Sequence, residues 1–196
     1  RLSELYLETT LRWREVPKPT IAQVQGYCIM GGLMLASCCD LIVAAEDARF
    51  ADRSVRWGGP HVQYFGMPWD LGPRKTKEYL FTGDYLDAHD ALSLGLVNRV
   101  VPPEALAAAT LELAQRIALQ DPFALKMAKA SVNETMDIQG HRQAIEAAFK
   151  SEASINHPGY NEDAALGDVD RTRNERRKPP EIVTAMILAG DLTFNP

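Results

Sequence analysis

The run Thr20-Ile21-Ala22-Gln23-Val24-Gln25, fenced by Pro17-Lys18-Pro19 before it and Gly26 after it, constrains the fold of this chain more than any other stretch. Prolines this close together keep the entry to the run out of a helix, because each lacks an amide hydrogen and fixes its own φ. The six residues that follow lean towards strand, and the glycine closes them off. Gly31-Gly32 then opens an apolar stretch, Leu33 to Cys39, and after Asp40 comes the β-rich Leu41-Ile42-Val43. Strand, glycine turn, helix, strand is the unit from which α/β folds are made. It sets a helix N-terminus at the carboxyl end of a strand, where such folds place their ligand sites.

Further along, the pattern predicts a helix from Arg74 to Phe81 that stops at Gly83. A second helix is capped by Asp87, with Asp90 three residues on, and ends at Gly95 before a strand over Leu96 to Val101. Beyond Pro102-Pro103 the pattern is helical: Glu104 to Leu119, Pro122 to Met136 behind the cap Asp121, and Ile138 to Ile155 carry apolar residues at three and four spacing. The turn Asn156-His157-Pro158-Gly159 leads into a last helix to about Arg177. With 196 residues the chain is long enough for one core and short for two. The expected division is therefore an α/β core over 1–101 and a helical region of the same fold over 102–196.

Charge and cysteine usage remove several function classes. Twenty-one basic against 26 acidic side chains give a net charge of −5, which argues against a nucleic-acid partner. No apolar run approaches the roughly 20 residues that span a bilayer, and the opening Arg1-Leu2-Ser3-Glu4 carries no export pattern, so no membrane partner and a cytoplasmic location are expected. Cys28, Cys38 and Cys39 form no C-x-x-C and read as core thiols, so no metal site is expected. No G-x-G-x-x-G follows a strand, which sets aside a dinucleotide fold. The basic run Arg171, Arg173, Arg176, Arg177 and Lys178 reads either as a solvated helix face or as a grip on a phosphate.

The string from Lys18 to Gly32, K-P-T-I-A-Q-V-Q-G-Y-C-I-M-G-G, resembles the signature of the crotonase (enoyl-CoA hydratase/isomerase) superfamily, in which such a strand leads into a glycine triplet. Cys39 to Ala45, Ala48-Arg49-Phe50, Phe81-Thr82-Gly83-Asp84, Ala88 to Val97, Pro122 to Lys126 and Glu175 to Lys178 are similar to further blocks of that family in the same order. The resemblance covers about Pro17 to Lys178. It implies a ββα spiral core followed by a helical trimerisation region, hence a homotrimer or a dimer of trimers. It implies an acyl-CoA thioester as substrate, with coenzyme A arriving as part of it and no separate cofactor. It also implies N-terminal strands with an A-G-x-D turn, supplying a second oxyanion amide, which have no counterpart here.

By motif position Gly31 is the middle glycine, whose amide would polarise the thioester carbonyl and hold the enolate, with the positive end of a helix behind it. Met30 stands where the first glycine of the triplet would be. The two glutamates that a hydratase of this family uses fall at Met34 and Ser54, and neither side chain can act as a carboxylate. Both are expected to line the substrate site. The loop Trp57 to Asp70 is aromatic-rich and suits an apolar acyl pocket, with Tyr64 and Trp69 as its walls. His61 is the first candidate for moving a proton, with Tyr64 and Asp70 behind it, since an imidazole titrates near neutral pH. Asp52, beside the Ser54 slot, reads as a strand-end hydrogen-bond acceptor. Arg177 and Lys178 match the family's basic run and would hold the phosphate end of the thioester. His89, His141 and His157 lie away from every motif and are assigned no chemistry. Two readings stay open: an acyl-CoA enzyme working through an enolate, and a non-catalytic thioester-binding or structural subunit of the same fold.

Overall fold

A computed structural model describes residues 3–57, 59–153 and 183–188. In chain order its elements are α1 (Thr9–Arg14), β1 (Thr20–Gln25), β2 (Tyr27–Ile29), α2 (Gly31–Ser37), β3 (Leu41–Ala45), β4 (Arg49–Ala51), α3 (Met67–Thr82), β5 (Leu86–Asp87), α4 (Ala88–Leu94), β6 (Arg99–Val101), α5 (Leu106–Ala118), α6 (Pro122–Ile138), α7 (His141–Ala153) and β7 (Val183–Leu188). The expected strand, turn, helix, strand unit is β1 and β2 leading into α2 and β3. Gly26 takes φ +59°, which lets the chain bend between β1 and β2.

Two sheets result. The larger runs β6-β3-β1-β7 and the smaller β2-β4-β5. In the larger, β1 pairs with β3 in parallel, from Ile21 beside Leu41 to Val24 beside Ala44, and β3 pairs with β6 in parallel. Strands covered on both faces read as nearly continuous apolar runs. Here they split by parity. Ala22, Val24, Ile42 and Ala44 join Leu33, Phe50, Met67 and Leu86 in the main core, whereas Ile21, Val43 and Ala45 pack under Leu106 and Ala114 of α5.

Several sequence signals hold in place. Asp87 accepts a hydrogen bond from the Asp90 amide at 2.8 Å, and Asp121 accepts one from Ala124 at 2.8 Å, each capping a helix as read. Others are displaced. Helix α3 starts seven residues before Arg74, because two helical segments join across Gly72 (φ +72°) with Pro73 starting the second. The helix expected from Ile138 starts instead at His141, since α6 runs to Ile138 and Gly140 at φ +93° ends that turn. Residues 102–196 are not helical throughout: the run Val183 to Leu188 is the strand β7, antiparallel to β1 from Thr20 beside Leu188 to Gln25 beside Val183. Its pairing satisfies the edge of β1 facing away from β3.

Helix α6 is unusual, for none of its 17 residues is buried. Phe123, Val132 and Ile138 are exposed among the described residues. Polar tethers tie it to the body instead. Arg14 of α1 donates from Nη1 to Asp137 Oδ2 and from Nη2 to the Asn133 carbonyl, both at 3.1 Å, and Lys129 Nζ lies 2.7 Å from Asp40 Oδ2. Among the described residues no helix is long and apolar enough to cross a membrane.

Candidate functional site

The turn at Met30 joins the carboxyl end of β2 to the first residue of α2. Met30 takes φ +51° and ψ −110°, and among the described residues it is the sole non-glycine with positive φ. Such a backbone costs a side-chain-bearing residue on the order of 1–3 kcal/mol, so its surroundings must fix it. They do: the Met30 amide donates to the Ala51 carbonyl of β4 at 3.1 Å, and its carbonyl accepts from Met34 at 2.9 Å. The strain sits immediately before the exposed Gly31. The Gly31 amide belongs to the first helical turn, where amides lack an acceptor within the helix. A methyl group added at Gly31 would meet nothing within 4 Å, so the space on the Cβ side of this residue is open.

Behind the turn stands Asp52, which is fully buried. Its Oδ1 accepts from the Ser54 amide at 3.0 Å and from Ser54 Oγ at 2.6 Å, and its Oδ2 accepts from the Val62 amide at 2.8 Å. Both ends of the intervening loop are thereby held on one carboxylate. Ser54 Oγ also lies 3.7 Å from Met30 Sδ, which puts this hydroxyl at the α2 turn. Met34 is buried among Leu7, Leu11, Cys38, Val62, Tyr64 and Ile145, so its side chain is taken up by apolar packing. His61 is buried; its Nδ1 is 2.9 Å from the Val62 carbonyl and its ring stacks on Phe65 at 4.3 Å. If Nδ1 carries the proton that this contact requires, Nε2 is the nitrogen left for other work.

The remaining loop candidates gather elsewhere. Tyr64 and Asp70 line a cavity of about 430 Å³ that also touches Cys39, Val132, Met136 and His141. Burial pushes the Asp70 carboxyl up to about 7 and the Tyr64 hydroxyl well above the ordinary range. Burial, aided by the Arg14 guanidinium, lowers His141 to about 4. The rings of Trp69 and Tyr64 both turn an edge to His141, at 4.9 and 6.3 Å. The candidates thus divide, with Gly31, Met34 and Ser54 at the turn, Asp70 and Trp69 around His141, and Tyr64 touching both groups. His141, which the sequence leaves without a chemical role, meets Arg14, Tyr64 and Trp69 from far along the chain and Asp137 from four residues before it. Arg177 and Lys178 lie outside the described residues.

A sequence profile of the enoyl-CoA hydratase/isomerase family matches residues 2–161. The chain is 45% identical over 186 residues to a Mycobacterium tuberculosis protein carrying the name enoyl-CoA hydratase EchA13, covering 92% of this chain and 58% of that protein. It is 38% identical over 135 residues to the crotonyl-CoA hydratase of Syntrophomonas wolfei, covering 66% of this chain and 51% of the relative. Among solved structures, one described as an enoyl-CoA hydratase of Mycobacterium smegmatis superposes with a TM-score of 0.77 at 49% identity, over 81% of this chain and 67% of the other. The chain therefore spans between half and three fifths of the length of these curated relatives.

Proposed function

This chain belongs to the enoyl-CoA hydratase/isomerase family, and from that premise we propose that it binds an acyl-CoA thioester with the thioester carbonyl on the Gly31 amide and stabilises the enolate that forms there. The observation that carries this reading is the open first turn of α2, set at the carboxyl end of β2 behind a strained Met30. A helix N-terminus offers unpaired amides and a positive field where negative charge develops. The names of the relatives, hydratases of enoyl- and crotonyl-CoA, support the same substrate class.

The second reading, a thioester binder without turnover, draws support from Met34, whose buried apolar side chain cannot hold water for addition to a double bond. Turnover against a panel of saturated and unsaturated acyl-CoA thioesters separates the two. The enzyme reading expects saturable turnover of at least one member, with crotonyl-CoA hydration roughly 100-fold or more below that of a relative with both glutamates. Binding across the panel with no product would leave the non-catalytic subunit.

Association is proposed as well. A helix whose residues are all unburied, with Phe123, Val132 and Ile138 presented outward, leaves apolar surface that a trimer or a dimer of trimers would cover. Light scattering at micromolar concentration is expected to give a mass of at least three chains, and a monomer under those conditions would remove the claim.

A further inference from the structure

Helix α6 offers apolar side chains to the body of the fold without packing on it. Leu125, Ala128 and Met136 line the same cavity of about 430 Å³ as Leu41 and Ile117, and none of the three helix residues is buried. A space of that size suits a small molecule. Three polar groups on the cavity lack a hydrogen-bond partner among the described residues. The Asp70 carboxyl is one, and burial alone pushes it up to about 7, with no cation acting on it. Tyr64 and His141, each 3% exposed, are the others. The Tyr64 hydroxyl makes no hydrogen bond and feels the Asp70 charge. His141 Nδ1 has no hydrogen-bond partner, Asp137 Oδ1 standing 3.8 Å away. Polar groups enclosed to this degree are nearly always paired, so three without a partner around one cavity point to a partner from outside the chain.

We propose that this cavity binds an aliphatic primary amine, its ammonium head held by Asp70, Tyr64 and His141 and its chain laid along the apolar side chains of α6. Charge selects the head. The other charged side chains of the lining are already matched, Arg14 with Asp137 at 3.1 Å and Lys129 with Asp40 at 2.7 Å. Asp70 is therefore the one acid of the lining without an opposite charge among the described residues. Hydrogen bonding selects the head again. An ammonium brings three donors and no acceptor, and the carboxylate of Asp70, the hydroxyl oxygen of Tyr64 and the unprotonated nitrogen of His141 are three acceptors. Burial and the Arg14 charge keep that imidazole neutral near pH 7. A carboxylate head would meet Asp70 as a like charge, and an alcohol would leave it without a counter-ion. The lining includes neither Gly31 nor Ser54, so the inference does not depend on the thioester reading.

Calorimetric titration of the full chain at about pH 7.5, where Asp70 is mostly ionised, with octylamine, 1-octanol and octanoate is the test. Octylamine is expected to bind once per chain and at least about 10-fold more tightly than the other two. Asp70→Asn keeps the shape of the side chain and the uncharged state that burial favours, so the variant should fold. It is expected to weaken octylamine about 10- to 100-fold and to leave 1-octanol unchanged. Ala128→Trp, at an exposed position of the lining, fills the space and is expected to abolish octylamine binding. Equal affinity for the amine and the alcohol, or octylamine binding that Asp70→Asn leaves unchanged, overturns the proposal. Octylamine binding that survives Ala128→Trp is adventitious attraction to an acidic surface and overturns it as well. Absence of binding by all three probes overturns it outright and leaves a second copy of the chain as the group that covers the cavity.

Discussion

Asp137→Ala is expected to lower the unfolding free energy by about 3 kcal/mol, the lower end of the range for breaking a buried ion pair. The guanidinium of Arg14 is nearly enclosed, with 5% of its side chain exposed, and Asp137 is the one carboxylate that approaches it among the described residues, at 3.1 Å. Removing the carboxylate strands a positive charge in a poorly solvated place, with the Asn133 carbonyl as its remaining acceptor. The lower end applies because Asp137 itself keeps 26% of its side chain exposed. The effect should be large for a further reason: α6 buries no residue, so polar tethers, this pair and Lys129 with Asp40 among them, carry much of its docking. Lys75→Ala is the control, since its pair with Glu78 is exposed and such pairs contribute about 0.2–1 kcal/mol at most. Urea unfolding compares the two variants, and equal small losses would show that α6 is held by something other than the Arg14 tether.

Between pH 4 and 7, Asp70→Asn and His141→Gln are expected to tilt the stability curve in opposite directions. Asp70 titrates at about 7 in the folded chain against an ordinary 3.8, because burial disfavours its charged form. The folded state then holds a proton that the unfolded state has released, so this stabilisation is full below about pH 4 and is lost as pH rises through 7. Three units at about 1.4 kcal/mol each give roughly 4 kcal/mol as an upper bound, and partial exposure of the residue lowers this to about 2–3 kcal/mol. His141 runs the other way. Its pKa of about 4 lies below 6.5, chiefly through burial and then through the Arg14 charge, so its stabilisation is full above about pH 6.5 and is lost as pH falls through 4. That is worth about 3 kcal/mol at most. In the wild type the two nearly cancel over this window. Relative to wild type, Asp70→Asn should therefore gain about 2–3 kcal/mol on going from pH 4 to 7, and His141→Gln should lose a similar amount. Urea midpoints at pH 4, 5.5 and 7 measure both, and parallel curves for Asp70→Asn and wild type would mean that Asp70 is ionised and solvated.

Local chemistry decided what could be read ahead of the structure. The prolines before Thr20 and the glycine after Gln25 bound β1, Asp87 and Asp121 cap their helices, and Gly83 and Gly95 end theirs in the left-handed region. Each signal acts within a few residues, where sequence distance and spatial distance agree. The same holds for the placing of Gly31 at the start of α2 and for Asp52 as a hydrogen-bond acceptor at the end of β4.

The sequence by itself therefore determined the strand, turn and helix that set Gly31 at the start of α2. Tertiary structure alone decided which groups meet. Ser54 is turned onto Asp52 at the Met30 turn, His61 is turned towards its own backbone, and Asp70 is drawn into a cavity with His141 rather than to the α2 turn. The reason is that burial and Coulomb terms depend on neighbours brought from far along the chain. Arg14 reaches Asp137 across 123 residues, β7 closes the edge of β1 from the far end of the sequence, and no periodicity in the residues between them records either meeting.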